Sequence, residues 1–143
     1  MDGLQRLFSG MRVSATGMSA ERVRIDTIAK NIANASVTHT PEGGPYMRQV
    51  ACFEPILQRF GDGHSENAGV RVSSVSNDRS TPFQRIQDPS HPDADAQGWV
   101  EYPNVNTTRE MADLITAVRA YEANLDAQES FVRMAERALK IAQ

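Results

Sequence analysis

At both ends of the chain apolar residues return at every seventh position, and the middle shows no such repeat. Near the N-terminus the series is Leu4, Met11, Met18, Ile25 and Ile32; near the C-terminus it is Met111, Val118, Leu125, Val132 and Leu139. Seven residues nearly complete two helical turns, so such a repeat keeps one seam of a helix against a partner helix. Two seams predict a long helical pair whose work is packing, which points to assembly rather than catalysis. The expected fold is mainly α, with long terminal helices packing as a coiled coil or a layer of a helical tube. The expected parts are an N-terminal helix in 1–35, a small β-rich insert with loops in 36–106, and a C-terminal helix in 107–143.

The first helix should run from Gly3 to Asn34, about 45 Å at 1.5 Å per residue, with Leu7, Phe8, Ala15, Ile28 and Ala29 widening its seam. Gly3, Gly10 and Gly17 also recur every seven residues. Each interior glycine costs a helix about 1 kcal/mol relative to alanine. A glycine stripe beside an apolar seam lets another backbone approach, so this helix should be weak alone and ordered by its neighbours. For the second helix, Thr107 and Glu110 have capping-box spacing, in which hydroxyl and carboxylate each accept an unpaired backbone N–H. It should reach Ile141, with Leu114, Tyr121 and Ala135 flanking the seam and Ala117, Phe131 and Ala138 broadening it. Glu129–Arg133 and Glu136–Lys140 are i,i+4 ion pairs worth about 0.3–0.5 kcal/mol each.

Between the helices, Ala35 to Tyr46 carries Asn, Ser, Thr, Pro and Gly and reads as a loop. Strand character follows at Tyr46 to Leu57, Gly69 to Val75, Phe83 to Gln87 and Gly98 to Tyr102, with turns at Gly61-Asp62-Gly63 and Asn67-Ala68-Gly69. The lone cysteine, Cys52, excludes an internal disulfide and is expected as a small buried side chain in a strand. Trp99 and Tyr102 are expected as anchors of the insert's core or of an interface.

Composition removes several classes of function. A net charge of −3 argues against nucleic acid, which calls for a clustered excess of Lys and Arg. No apolar run approaches the ~20 residues needed to cross a bilayer, and Leu4 to Ile32 is too often interrupted by charge for a cleavable secretory signal. Asp88-Pro89-Ser90-His91-Pro92-Asp93-Ala94-Asp95 gathers oxygen and imidazole ligands that a divalent metal could use, but it reads better as a polar connecting loop. There is no nucleophile elbow, no Cys–His pair and no phosphate loop, so no enzyme, cofactor or small-molecule substrate is implied.

Two stretches carry a resemblance. Ile28-Ala29-Lys30-Asn31-Ile32-Ala33-Asn34-Ala35 is similar to the asparagine-rich helix end of the bacterial flagellar rod and hook family. His91-Pro92-Asp93-Ala94-Asp95, Gly98-Trp99-Val100, Tyr102-Pro103-Asn104-Val105-Asn106, Glu110-Met111 and Arg119-Ala120-Tyr121-Glu122-Ala123-Asn124 resemble the proximal-rod branch of that family, as does Gly44-Pro45-Tyr46 with Arg48. The resemblance implies a subunit of a helical tube in the flagellar basal body, crossing the periplasm and transmitting torque from motor to hook. Its implied partners are other copies, other proximal and distal rod proteins, basal-body adaptor and membrane-ring proteins, and the flagellar type III export apparatus, which would take the chain out without a cleavable signal. On that view the two apolar series bury the inter-helix seam, and Asn31 and Asn34 satisfy polar groups where the first helix ends. Arg119, Tyr121 and Glu122, with Asn124 in the same motif, would link neighbours. Two other readings remain open from the residues: a cytoplasmic helical adaptor or export chaperone, and a metal-dependent hydrolase using His91, Asp93 and Asp95.

Overall fold

A computed structural model of the protein describes residues 2–59 and 65–141. Helix α1 (Asp2–Ala33) and helix α2 (Thr107–Ile141) bracket strands β1 (Gln49–Arg59), β2 (Ser65–Asn77), β3 (Gln84–Gln87) and β4 (Trp99–Tyr102). The side chains of Leu4 and Leu7, the expected close approach at Gly3, and the expected turn at Gly61-Asp62-Gly63 lie outside the described residues.

The helices pair side by side within one chain. Gly10 lies against Phe131, Gly17 against Asn124, and Asn31 bonds Glu110. The start of α1 therefore meets the far part of α2, and each seven-residue step along one helix is matched by a seven-residue step along the other. A β-carbon at Gly10 would stand 2.6 Å from Cζ of Phe131, and one at Gly17 would stand 2.9 Å from Oδ1 of Asn124. The glycines make room for these larger side chains of the chain's own second helix, rather than for the close backbone approach expected.

The seam on α2 lies one residue before the expected one. Glu110 and Ala117 are buried, Asn124 and Phe131 half-buried, and Leu114 and Tyr121 support them. Met111, Val118, Leu125, Val132 and Leu139 are exposed, from 37% at Val118 to 62% at Leu139. They are not buried against α1. The register is chosen by size and polarity rather than by apolarity: the glycines receive Phe131 and Asn124, and the polar Asn31 receives Glu110. On α1, Met11, Met18, Ile25 and Ile32 are half-buried, and the fully buried positions are Ser14, Ala20, Thr27, Ile28 and Asn31.

The start of α2 also differs from expectation. Asn106 caps it, its Oδ1 accepting the N–H of Arg109 at 3.0 Å and its carbonyl that of Glu110 at 2.9 Å. Glu110 does not fold back onto a Thr107 cap, because its carboxylate is drawn inward by Arg48 and Asn31. An asparagine side chain serves the cap as well as a threonine hydroxyl does.

Strands β1 and β2 form an antiparallel hairpin, and β3 and β4 a separate antiparallel pair. The hairpin is longer than the sequence suggests. Asn67-Ala68-Gly69 lies inside β2, where the register shifts between Ile56 and Leu57 and the extra residue bulges; a second shift falls between Cys52 and Phe53. The hairpin lies along α1, where the Thr16 hydroxyl accepts the Val70 N–H at 3.2 Å and donates to the Val13 carbonyl at 2.8 Å. Gly69 passes directly over that hydroxyl with φ +137°, a place where a side chain would have neither room nor a comfortable backbone. A two-stranded hairpin covers a helix with one face only, which leaves the thiol of Cys52 exposed rather than buried. Trp99 is likewise half out in solvent, with the Arg85 guanidinium 5.8 Å from its ring centre, while its neighbour Val100 is buried.

Candidate functional site

Where α1 ends, a knot of polar side chains ties both helices to the insert. Asn31 is 0% exposed and Glu110 1% exposed, which is tolerable only if their polar atoms are paired. The Asn31 amide nitrogen donates to the Gln49 carbonyl at 2.8 Å and to Oε2 of Glu110 at 2.9 Å. Its oxygen accepts the Gln49 N–H at 2.8 Å and the Tyr46 hydroxyl at 3.0 Å. The side chain thus continues the start of β1 as a strand would, fixing the hairpin to the helix.

Arg48 completes the knot from β1's approach. Its Nε donates to Oε1 of Glu110 at 2.7 Å, Nη1 lies 3.5 Å from Asp78, and Nη2 lies 4.0 Å from Asp113 on α2. One guanidinium therefore answers carboxylates from the helix and from the end of β2. The Arg48 N–H donates to Asn104 Oδ1 at 2.7 Å, and the Asn104 amide donates to the carbonyls of Asp78 and Thr81. Burial, reinforced by the charge of Glu110, raises the Tyr46 phenol above its ordinary value and keeps it a donor.

The buried polar atoms of Asn31 and Glu110 are all paired, and the set offers no free nucleophile. Its consequence is mechanical: α1, the hairpin, the β3–β4 pair and α2 are linked at one point. Asn31 was legible as a polar group at the helix end, whereas the roles of Tyr46, Arg48, Asn104 and Glu110 were not. Asn34, also singled out, donates from its amide to the Lys30 carbonyl at 2.8 Å and closes the helix end.

The other singled-out residues lie along α2. Arg119 and Glu122 are exposed, Tyr121 is half-buried, and Asn124 sits against Gly17 while donating to the Ala120 carbonyl at 2.9 Å. Arg119 and Glu122, with Met111, Ile115, Val118, Leu125, Val132 and Leu139, make a long outer surface, apolar along its centre and flanked by charge, whereas Tyr121 and Asn124 belong to the seam against α1.

The acidic loop before β4 is occupied with its own turns. Asp88 accepts the Ser90 hydroxyl, Asp93 accepts the Thr38 hydroxyl at 2.6 Å, and Asp95 accepts the N–H groups of Gln97 and Trp99. These bonds hold the carboxyls of Asp88 and Asp95 below their usual range, through the Ser90 hydroxyl in the first case and the Trp99 amide in the second. His91 packs edge-on against Tyr102 with ring centres 6.0 Å apart. Among the described residues, no group of three His, Cys, Asp or Glu side chains converges as a metal would require, and no helix is long and apolar enough to cross a membrane.

Comparison with known proteins joins these features to a lineage. The family described as flagella basal body rod protein matches residues 11–39, which hold most of α1 and Asn31. The family described as flagellar basal body rod FlgEFG protein C-terminal matches residues 96–141, which hold β4 and α2. Flagellar basal-body rod protein FlgC of Borreliella burgdorferi is 45% identical over 96% of this chain and 98% of its own length. That of Bacillus subtilis is 38% identical over 95% and 98%, and that of Aquifex aeolicus 39% identical over 85% and 86%. The chain belongs to the FlgC family of flagellar basal-body rod proteins, and its role is structural rather than enzymatic.

Proposed function

We propose that the chain is a subunit of the proximal rod, built into it through both terminal helices, and that it passes torque from motor to hook. The observation that carries this reading is the outer stripe of α2. Met111, Val118, Leu125, Val132 and Leu139 repeat every seven residues, yet α1 leaves them exposed. Each such side chain contributes about 1.5–3 kcal/mol when fully buried, so the stripe is stabilising only in an assembly that covers it. Copies of the chain and the other proximal and distal rod proteins are the natural partners, with adaptor and membrane-ring proteins at the base. Arg119 and Glu122 then act at the contacts between neighbours, while Tyr121 and Asn124, expected there from the motif, serve the chain's own helix pair. The rod crosses the periplasm, and export through the flagellar type III apparatus brings the chain there without a cleavable signal.

The test is electron microscopy of basal bodies from a strain deleted for this chain, beside a motility assay with plasmid rescue. Rings lacking rod and hook, with motility restored by the plasmid, are expected. A complete rod in the deletion strain would overturn the reading in favour of a cytoplasmic adaptor.

A further inference from the structure

A groove of about 450 Å3 separates the loop after α1 from the β3–β4 pair. Thr38, His39 and Pro45 line one wall, and Asp93, Trp99 and Glu101 the other. The loop closes on itself: the Val37 carbonyl accepts the Tyr46 N–H at 3.0 Å, and the Gly44 carbonyl that of Thr40 at 2.9 Å. Among the described residues, one side-chain hydrogen bond crosses the groove, from the Thr38 hydroxyl to Oδ2 of Asp93 at 2.6 Å. The position of that carboxylate therefore decides how the loop is held.

A titratable ring stands beside it. The His91 side chain is 24% exposed, and its Nδ1 accepts the Asp93 N–H at 3.1 Å while lying 4.0 Å from the same Oδ2. A ring nitrogen accepts a hydrogen bond only while it carries no proton. Once protonated, Nδ1 becomes a donor: it can no longer hold the Asp93 N–H, and its charge favours the carboxylate. A charge-assisted N–H···O bond spans about 2.8 Å, so Asp93 has to leave the geometry that holds Thr38. The charged and titratable groups that face His91 are Asp88 and Asp93 from its own loop and Tyr102 from β4, with ring centres 6.0 Å apart. The Ser90 hydroxyl keeps Asp88 ionised, so between about pH 8 and pH 5 the imidazole is the group here that changes charge.

We propose that His91 is an acid-sensitive latch on this groove. With the ring neutral, Asp93 holds Thr38 and the groove is narrow. With the ring protonated, Asp93 pairs with His91, Thr38 is released and the loop swings away. The open arrangement binds the proton better, so acid shifts the population toward it. The latch lies within one chain and stands or falls independently of the rod reading.

Trp99 is the only tryptophan of the chain and lies in the groove wall, so its fluorescence reads the latch. Titrating the purified chain from about pH 8 to about pH 5 should shift the emission in one step, to the red as water enters the groove. His91→Asn keeps an acceptor oxygen where Nδ1 stands and takes no proton; its emission should stay at the alkaline wild-type value throughout. Thr38→Val should show the red-shifted emission at the alkaline end already, and His39→Asn, which removes the other imidazole of the groove, should keep the step. No step in the wild type, a step that survives His91→Asn, one lost with His39→Asn, or wild-type emission from alkaline Thr38→Val would overturn the latch. Should His91→Asn fail to fold, NMR of the wild-type chain decides. The Asp93 and Thr38 amides should move with the same midpoint as the His91 ring, and a Thr38 amide indifferent to that titration would overturn the proposal.

Discussion

Along the face of α2 that meets α1 stand Glu110, Ala117, Asn124 and Phe131, while the face turned away carries Met111, Val118, Leu125, Val132 and Leu139. The first set contains two polar side chains, the smallest helix former and one aromatic; the second is wholly apolar. A self-sufficient helical hairpin would be expected to arrange them the other way, since apolar burial is the larger source of stability. The difference separates two tasks. Contacts between Gly10 and Phe131 and between Asn31 and Glu110 fix which residue sits opposite which, as a buried polar pair does in a coiled coil. The outer stripe keeps apolar surface in reserve for neighbours.

The largest effect should come from crossing that division. Leu125→Asp places a charge on the outer stripe without touching the inner seam. Rod assembly should be abolished in the deletion strain, while the purified chain melts within about 0.5 kcal/mol of wild type, as exposed substitutions generally do. An equal loss of monomer stability would mean that Leu125 is packed within the chain and that the two faces are not distinct.

Next in size is the inner face. Glu110→Ala leaves Arg48 and Asn31 facing a void, and removing one member of a buried charged set costs about 3–5 kcal/mol. Urea unfolding should show this loss. Asn31→Ala should cost somewhat less, because Arg48 and Glu110 keep each other. A cost under about 1 kcal/mol for Glu110→Ala would show that water reaches the knot, and that the register is held by the glycine contacts alone.

How far the sequence discloses this arrangement depends on the kind of signal. Seven-residue spacing shows that α1 and α2 exist and are long, and Gly10 and Gly17 show where another helix approaches. Spacing does not show which of two adjacent stripes faces inward, because Ala117 and Phe131 recur at the same interval as Val118 and Val132. Apolarity favoured the larger stripe; size matching against glycine selected the other. The polar knot was harder still. Asn31, Arg48 and Glu110 lie 17 and 62 residues apart along the chain, and only the folded hairpin brings them together. Glu110 even had a competing local explanation as a capping residue, which Asn106 fulfils instead. The hairpin's bulge at Asn67-Ala68-Gly69 imitates a turn in composition, because both call for a small residue with unusual backbone angles.

A smaller effect separates size matching from helix propensity on the inner face. Gly10→Ala should gain about 1 kcal/mol of helix propensity, but its new methyl meets the Phe131 ring, and overpacking of this kind costs about 1–3 kcal/mol. A net loss near 1 kcal/mol is expected in urea unfolding. In a Phe131→Ala background the ring is gone and the same substitution should stabilise. The reversal of sign is the decisive feature: if Gly10→Ala is stabilising in both backgrounds, Phe131 does not set the seam.

The smallest expected effect lies at the edge of the knot, where Asp78 holds the turn after β2. Its Oδ1 accepts the hydroxyl and N–H of Ser80 at 2.6 and 2.9 Å, and its Oδ2 accepts the Thr81 hydroxyl at 2.9 Å. The Ser80 hydroxyl foremost, then that of Thr81, holds this carboxyl far below the usual 3.8. A depressed carboxylate stabilises the fold fully above its unfolded value and loses that contribution as pH falls through its folded value. The native turn should therefore loosen progressively below about pH 4, seen as faster amide exchange at Ser80 and Thr81. Asp78→Asn should remove that acid dependence at the turn, while Asp88 and Asp95, depressed by their own turns, retain theirs. Because Asp78 also faces Arg48 at 3.5 Å, the neutral variant distinguishes a turn from a working member of the knot. If Asp78→Asn slows no exchange at low pH yet weakens the chain at pH 7 as much as Glu110→Ala, the inner polar set extends to Asp78 and is larger than the Asn31–Glu110–Arg48 core.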